Sequence, residues 1–271
     1  MPPSPKFTIR RAHRDIQNVL IGLVAAPGGG KTCTALRLAR GIAPTGRIIM
    51  VSTERGKSTE YAPHEGDPVP AEFDPASPTF DFDVIEMGPP FSPARFEAAV
   101  RAAAAERPSV LIIDNITDEM HGEGGQLDLK ENAPDSDKFG WIEPKRQHRG
   151  LMNELRSRPW YVIMTIRAKE KIRPASAREK RQGLTGVINE GWLPQCDGGL
   201  HYDCTILALL DQGVIQGRAT PPWKLPPALA DLANGQPLDE AAGRAIAHWA
   251  QPKGQWAPDD ERSHTTTEED A

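Results

Sequence analysis

Short unbroken apolar runs alternate along this chain with longer segments whose apolar residues recur every three or four positions. The runs are Val-Leu-Ile-Gly-Leu-Val at 19–24, Arg-Ile-Ile-Met-Val-Ser at 47–52, a shorter one at 82–87, Val-Leu-Ile-Ile at 110–113 and Tyr-Val-Ile-Met-Thr-Ile at 161–166. Runs this short, with little polar alternation, predict strands buried on both faces. The periodic segments predict helices at 31–43, 93–106, 143–157 and 238–249. Ala35, Leu38, Ala39 and Ile42 mark the buried stripe of the first, which Pro44 and Gly46 end. Ser92-Pro93 opens the second with a cap and a first-turn proline. A C-terminal hairpin is predicted from 201–210 against 214–219, turning at Asp211-Gln212-Gly213. Strands alternating with helices predict an α/β fold: a mostly parallel central sheet, helices on both faces, and a ligand at the carboxyl ends of the strands.

The segments between these elements divide the chain. Residues 56–80 are rich in Pro, Gly and acids and predict an irregular loop. Residues 118–138 are polar and acid-rich. Residues 167–183 read as a basic loop, with seven Lys or Arg against two acids over 167–181. The expected organisation is a flexible N-terminal arm at 1–14, an α/β domain at 15–220, a helical appendage at 221–250 and a disordered acidic tail at 251–271. The 26 prolines of this 271-residue chain cluster in the arm, at 63–93 and after 221, which fits that division. Net charge is −5, so any nucleic-acid contact depends on a local basic patch. Cys33, Cys196 and Cys204 are odd in number and scattered, which predicts a reducing, cytoplasmic setting. Cys196, His201 and Cys204 lack a fourth ligand at zinc-site spacing and read as ordinary strand and loop residues. No apolar run is long enough to span a membrane, and none follows the first charges as a secretory signal would.

The chemistry lies at the strand ends. Ala25-Ala26-Pro27-Gly28-Gly29-Gly30-Lys31-Thr32 joins the first strand to the first helix. It matches the phosphate-loop pattern, with Ala25 in place of the first glycine. Consecutive glycines let backbone amides turn inward around an anion, and the following helix, starting with Cys33 close behind, points its positive end at them. Lys31 is expected to reach the terminal phosphates of ATP, and the Thr32 hydroxyl to bind Mg²⁺. Asp114 emerges from a buried strand as a second Mg²⁺ carboxylate. Glu54 ends the second strand, where a carboxylate polarises water for in-line attack. Asn115 occupies the place directly after Asp114, so the base is not adjacent there, and Glu119 and Glu123 are fallback candidates. Thr165 and Arg167 end the fourth buried strand, within reach of a γ-phosphate in this chain or a neighbour's. Lys169, Lys171, Arg173, Arg178, Lys180 and Arg181 form the candidate nucleic-acid surface. That run has no aromatic residue; Trp141, Trp192 and Tyr202 supply stacking only where the fold brings them near.

These motifs resemble RecA-like P-loop ATPases encoded by phages and prophages, AAA-family nucleotide-binding proteins that include single-strand annealing recombinases. The resemblance spans 17–250. It rests on Ala26-Pro27-Gly28-Gly29-Gly30-Lys31-Thr32, Ser52-Thr53-Glu54-Arg55-Gly56, Ile112-Ile113-Asp114-Asn115-Ile116-Thr117, Gly122-Glu123-Gly124-Gly125 and Thr165-Ile166-Arg167-Ala168-Lys169. It implies Glu54 as catalytic base, Asp114 as the metal aspartate, and DNA-facing loops at 118–138 and 167–183. It also implies ring or filament homo-oligomers with ATP at subunit interfaces, single-stranded DNA as partner, and a single-strand-binding protein as a further one. A DNA-translocating motor or helicase loader, and a non-catalytic nucleotide switch, are the alternative readings.

Overall fold

The computed structural model describes residues 18–134, 136–158, 160–183, 186–215 and 224–251. Strand β1 (Val19–Ala25) runs through the glycine loop into α1 (Lys31–Ile42). Next come β2 (Ile48–Ser52), a 3₁₀ turn at Lys57–Tyr61, β3 (Asp83–Glu86) and α2 (Pro93–Ala105). Strand β4 (Val110–Asp114) leads into α3 (Thr117–His121), α4 (Gln126–Glu131) and α5 (Ile142–Arg156). Strand β5 (Tyr161–Pro174) passes through α6 (Ala177–Arg181) and returns as β6 (Val187–Pro194). Then follow α7 (Leu200–Asp203), β7 (Ile206–Asp211), β8 (Val214–Ile215), a second 3₁₀ turn at Pro227–Ala233 and α8 (Glu240–Ala250).

The strands lie in the order β3-β2-β4-β5-β1-β7-β8. Every pairing along that path is parallel except β7 with β8. The fold is therefore the expected α/β one. Its continuous apolar runs are buried on both faces because successive side chains leave the sheet in opposite directions. Leu20, Val24, Val51, Leu111 and Ile113 pack against Phe96 and Val100 of α2 and Leu151 and Leu155 of α5. Val19, Ile21, Leu23, Met50 and Ile112 pack on the other side against Leu38 and Ala39 of α1 and Ile246 of α8. Gly41 and Gly243 let α1 and α8 cross in close contact; a Cβ on either would strike the other helix's backbone. Arg37 and Arg40 both pair with Glu240 at that crossing. Ser92 caps α2 through the Arg95 amide, and Asp239 caps α8 through the Ala242 amide.

Three local expectations are corrected. Residues 167–174 are not a loop: β5 continues to Pro174 and pairs antiparallel with β6, making a two-stranded arm that ends in α6. The charges there are the two exposed faces of a ribbon. The segment 201–210 is not one strand either. Its start is the helical turn α7, and the strand begins only at Ile206, parallel to β1. The first strand register of the hairpin is kept by Leu210–Ile215 and Asp211–Val214; residues 216–219 lie outside the described residues. The loop 56–80 holds the 3₁₀ turn Lys57–Tyr61, whose Tyr61 ring packs with Phe80. The expected arm at 1–14 and, apart from Gln251, the expected tail at 251–271 also lie outside the described residues.

Candidate nucleotide site

Parallel register sets the strand ends side by side. Ala25 is opposite Arg167, Ser52 is opposite Asp114, and Ile113 is opposite Met164, which leaves Thr165 next to Asp114. The loop over β1 is built by glycine. Gly28 and Gly30 have φ of 76° and 81°, a region that other residues rarely adopt. At Gly29 a Cβ would lie 2.6 Å from the Ala25 Cβ. Ala25 itself is fully buried at the end of β1, and its methyl group lies against Gly29, where only a residue without a Cβ leaves room for it. The Lys31 ammonium folds over the loop and donates to the carbonyls of Ala25 and Ala26 at 3.2 and 3.1 Å. Burial lowers its pKa, and the nearby Asp114 and Glu54 carboxylates act in the opposite direction. Ala26 and Pro27 form the loop's entry, and Cys33 sits half-buried in the first turn of α1.

Asp114 is 2% exposed. Its Oδ2 accepts from Thr32 Oγ1 at 2.8 Å and faces Ser58 Oγ at 3.5 Å, while Oδ1 accepts from Thr165 Oγ1 at 2.5 Å. Burial pushes its pKa up despite the two threonine hydroxyls. Hydrogen bonds to an ion contribute about 1.5–3 kcal/mol each, less than the several kcal/mol by which burial penalises a carboxylate. No ion pair to Asp114 exists among the described residues. A hard cation beside Thr32 would supply the missing charge, and a hydroxyl with a carboxylate is the kind of oxygen donor set Mg²⁺ takes. The glycine cradle and this pair therefore fit a magnesium nucleotide.

Glu54 stands at the same edge. Its Oε1 accepts from Asn115 Nδ2 at 2.6 Å and from Arg167 Nη2 at 2.7 Å. Among the described residues Oε2 has only Lys57, at 3.9 Å. Burial raises the Glu54 pKa, but the Arg167 and Asn115 bonds outweigh it and the net shift is downward. Arg167 also bonds Asp118 Oδ1 at 3.1 Å, and Asp118 Oδ2 accepts from Thr53 Oγ1 at 2.6 Å. So Arg167 and Thr165 lie at the site, the first on Glu54 and the second on Asp114. Glu119 is turned away, in a buried cluster with Gln126 and His148.

The sequence assigned no role to Asn115, Asp118, Thr53 and Ser58, which hold these groups. The density of hydroxyls and amides just beyond β2 and β4 was the available signal. Lys169, Lys171 and Arg173 sit on the arm, not at the nucleotide edge, with Arg178, Lys180 and Arg181 beyond them on α6. Arg173 is tied to Glu179 by two bonds of 2.7 Å.

A family model described as an AAA domain matches residues 17–195, most of the chain and all of the site. The chain belongs to the AAA domain family. It is a P-loop NTPase by that membership and by its loop. Among solved structures it is similar to the RadB recombinase, at 16% identity over 70% of this chain and 73% of that one, with a TM-score of 0.38. No curated protein matches it. No helix among the described residues of this AAA domain protein is long and apolar enough to cross a membrane.

Proposed function

We propose that this AAA domain protein hydrolyses ATP·Mg²⁺ and couples the reaction to single-stranded DNA binding, in recombination or annealing of the phage type its motifs resemble. The observation that carries the ATPase reading is the meeting of the glycine loop, the Thr32–Asp114 pair and Glu54 at one sheet edge.

The amides of Gly28 to Thr32 hold the phosphates, and Lys31 leaves the Ala25 and Ala26 carbonyls to neutralise the β and γ oxygens. Thr32 and Asp114 hold Mg²⁺, which when bound adds positive charge against the triphosphate. Glu54 keeps its ionised form at neutral pH because Arg167 and Asn115 hold its pKa down. It is thus suited to orienting a water molecule through Oε2, which carries no hydrogen bond among the described residues. That water's oxygen attacks the γ-phosphorus, its proton passes to the carboxylate, and the bond from phosphorus to the leaving ADP oxygen breaks. Arg167 lies one strand from the phosphate loop and begins the arm, so a shift of its guanidinium toward the γ-phosphate changes both its hold on Glu54 and the arm's base.

Charge supports the DNA reading. Alternation places Lys169 and Lys171 on one face of the arm, and Arg178, Lys180 and Arg181 are exposed on α6. The exposed Trp192 lies opposite Glu170, on the other face. Phosphate contacts by such cations weaken with salt. Hydrolysis measured with and without single-stranded DNA across a salt series tests the reading. Stimulation that fades steeply with salt supports it, and no response to DNA at low salt overturns the coupling. Assembly of the chain on itself, with or without a single-strand-binding protein, belongs to the same proposal and is read by light scattering with ATP and DNA.

A further inference from the structure

Two short segments hold the main chain of Arg167. On one side its amide donates to Thr117 Oγ1 of α3 at 2.8 Å. On the other its carbonyl accepts from the Gln195 amide at 2.8 Å, where the chain returns from the arm. Two residues beyond each contact stands a buried carboxylate, Glu119 in α3 and Asp197 before α7. Both converge on one ring. His148 of α5 puts Nδ1 2.9 Å from Glu119 Oε1 and Nε2 3.8 Å from Asp197 Oδ1.

We propose that His148 is a positioning residue for Arg167: its ring ties α3 to the segment 195–197, the two pieces of chain that bracket the arginine. The proposal rests on the ATPase reading for its consequence in turnover, though not for its geometry. A ring protonated on both nitrogens bonds Glu119 and attracts Asp197 by charge across 3.8 Å at the same time. A neutral ring has one N–H and reaches only one.

Each carboxylate keeps other partners when the tie is lost. Glu119 accepts from Gln126 at 2.9 Å, and Asp197 pairs with Lys145 and accepts the Gly199 amide at 2.8 Å. Besides these, the cavity of about 270 Å³ outside the ring presents Arg149 and the Arg156–Asp203 ion pair. Cys196, next to Asp197, stays a thiol, its pKa pushed up to about 12 by burial. Burial alone lowers the His148 pKa, but the Glu119 bond and the Glu119 and Asp197 charges outweigh it and raise it, against Lys145. With the folded value raised, the tie is complete below the ordinary imidazole range and is lost as pH rises through the folded value.

The test is NMR of the full chain with nitrogen-15 in its imidazole, guanidinium and amide groups. His148 is expected to titrate above about 6.5, with the Arg167 guanidinium and Gln195 amide signals moving at the same midpoint. His148→Asn keeps a donor near Glu119 but cannot titrate, and should abolish that shared movement. Asp197→Asn keeps the ring and should lower the midpoint, which keeps the test open where the first variant does not fold. Arg167 and Gln195 signals that stay flat while His148 titrates overturn the proposal. In turnover, kcat is expected to fall about 2- to 30-fold through that midpoint, with KM steady, and to lose the step in His148→Asn. A chain that hydrolyses no ATP refutes the proposed function, and the NMR result still decides the role of His148.

Discussion

Glu54 carries two strong hydrogen bonds on one oxygen and almost none on the other. That asymmetry suits a group that aims water, and it makes the residue-scale predictions specific. Lys31→Ala should abolish phosphate release, because it removes the ammonium that lies over the loop on the Ala25 and Ala26 carbonyls. Arg167→Ala removes a main cause of the depressed Glu54 pKa, so its carboxyl rises and the acid limb of kcat moves to higher pH. A pH–rate profile at saturating ATP checks this; an unmoved acid limb would assign that limb to another group. The phosphate loop, Asp114 and Glu54 were legible in sequence, since each follows a buried run that only a strand explains. The partners of Glu54 were not. Asn115 and Arg167 meet it from two other strands, and only parallel register makes them neighbours.

At the scale of elements, the two-glycine crossing of α1 and α8 anchors the helix that follows the phosphate loop. Gly41→Ala places a methyl group against the Glu240 backbone. The expected loss is about 1–3 kcal/mol, read as a lower urea midpoint with unchanged slope. Stability equal to that of the parent would show that the helices slide apart freely. The arm teaches a different point. Its residues have neither continuous apolar character nor one buried face, because Ile172, Val187, Trp192 and Leu193 are all exposed. Pattern reasoning finds strands by what they bury, and this ribbon buries little. Its strand character comes from the β5–β6 ladder and from the Ser176–Glu179 capping box that ends it in α6. The same limit hid α7, whose start depends on Asp197 accepting the Gly199 amide.

For the whole molecule, one strand of the sheet links the candidate nucleotide site to the basic arm. β5 contributes Thr165 to Asp114, Arg167 to Glu54, and then the basic arm. Reversing Lys169, Arg178 and Lys180 to glutamate should weaken the proposed DNA binding and flatten its salt slope, while hydrolysis without DNA stays within about twofold, as expected of exposed residues on the arm. Loss of basal hydrolysis in that variant would place the arm inside the nucleotide site. The central claim is that Glu54 serves the water and the glycine loop serves the nucleotide. The direct measurement compares ATP affinity and single-turnover phosphate release in the parent and Glu54→Gln. The account predicts unchanged affinity with release slower by about 10²–10⁴-fold; release at the parent rate, or affinity lost together with it, would contradict it.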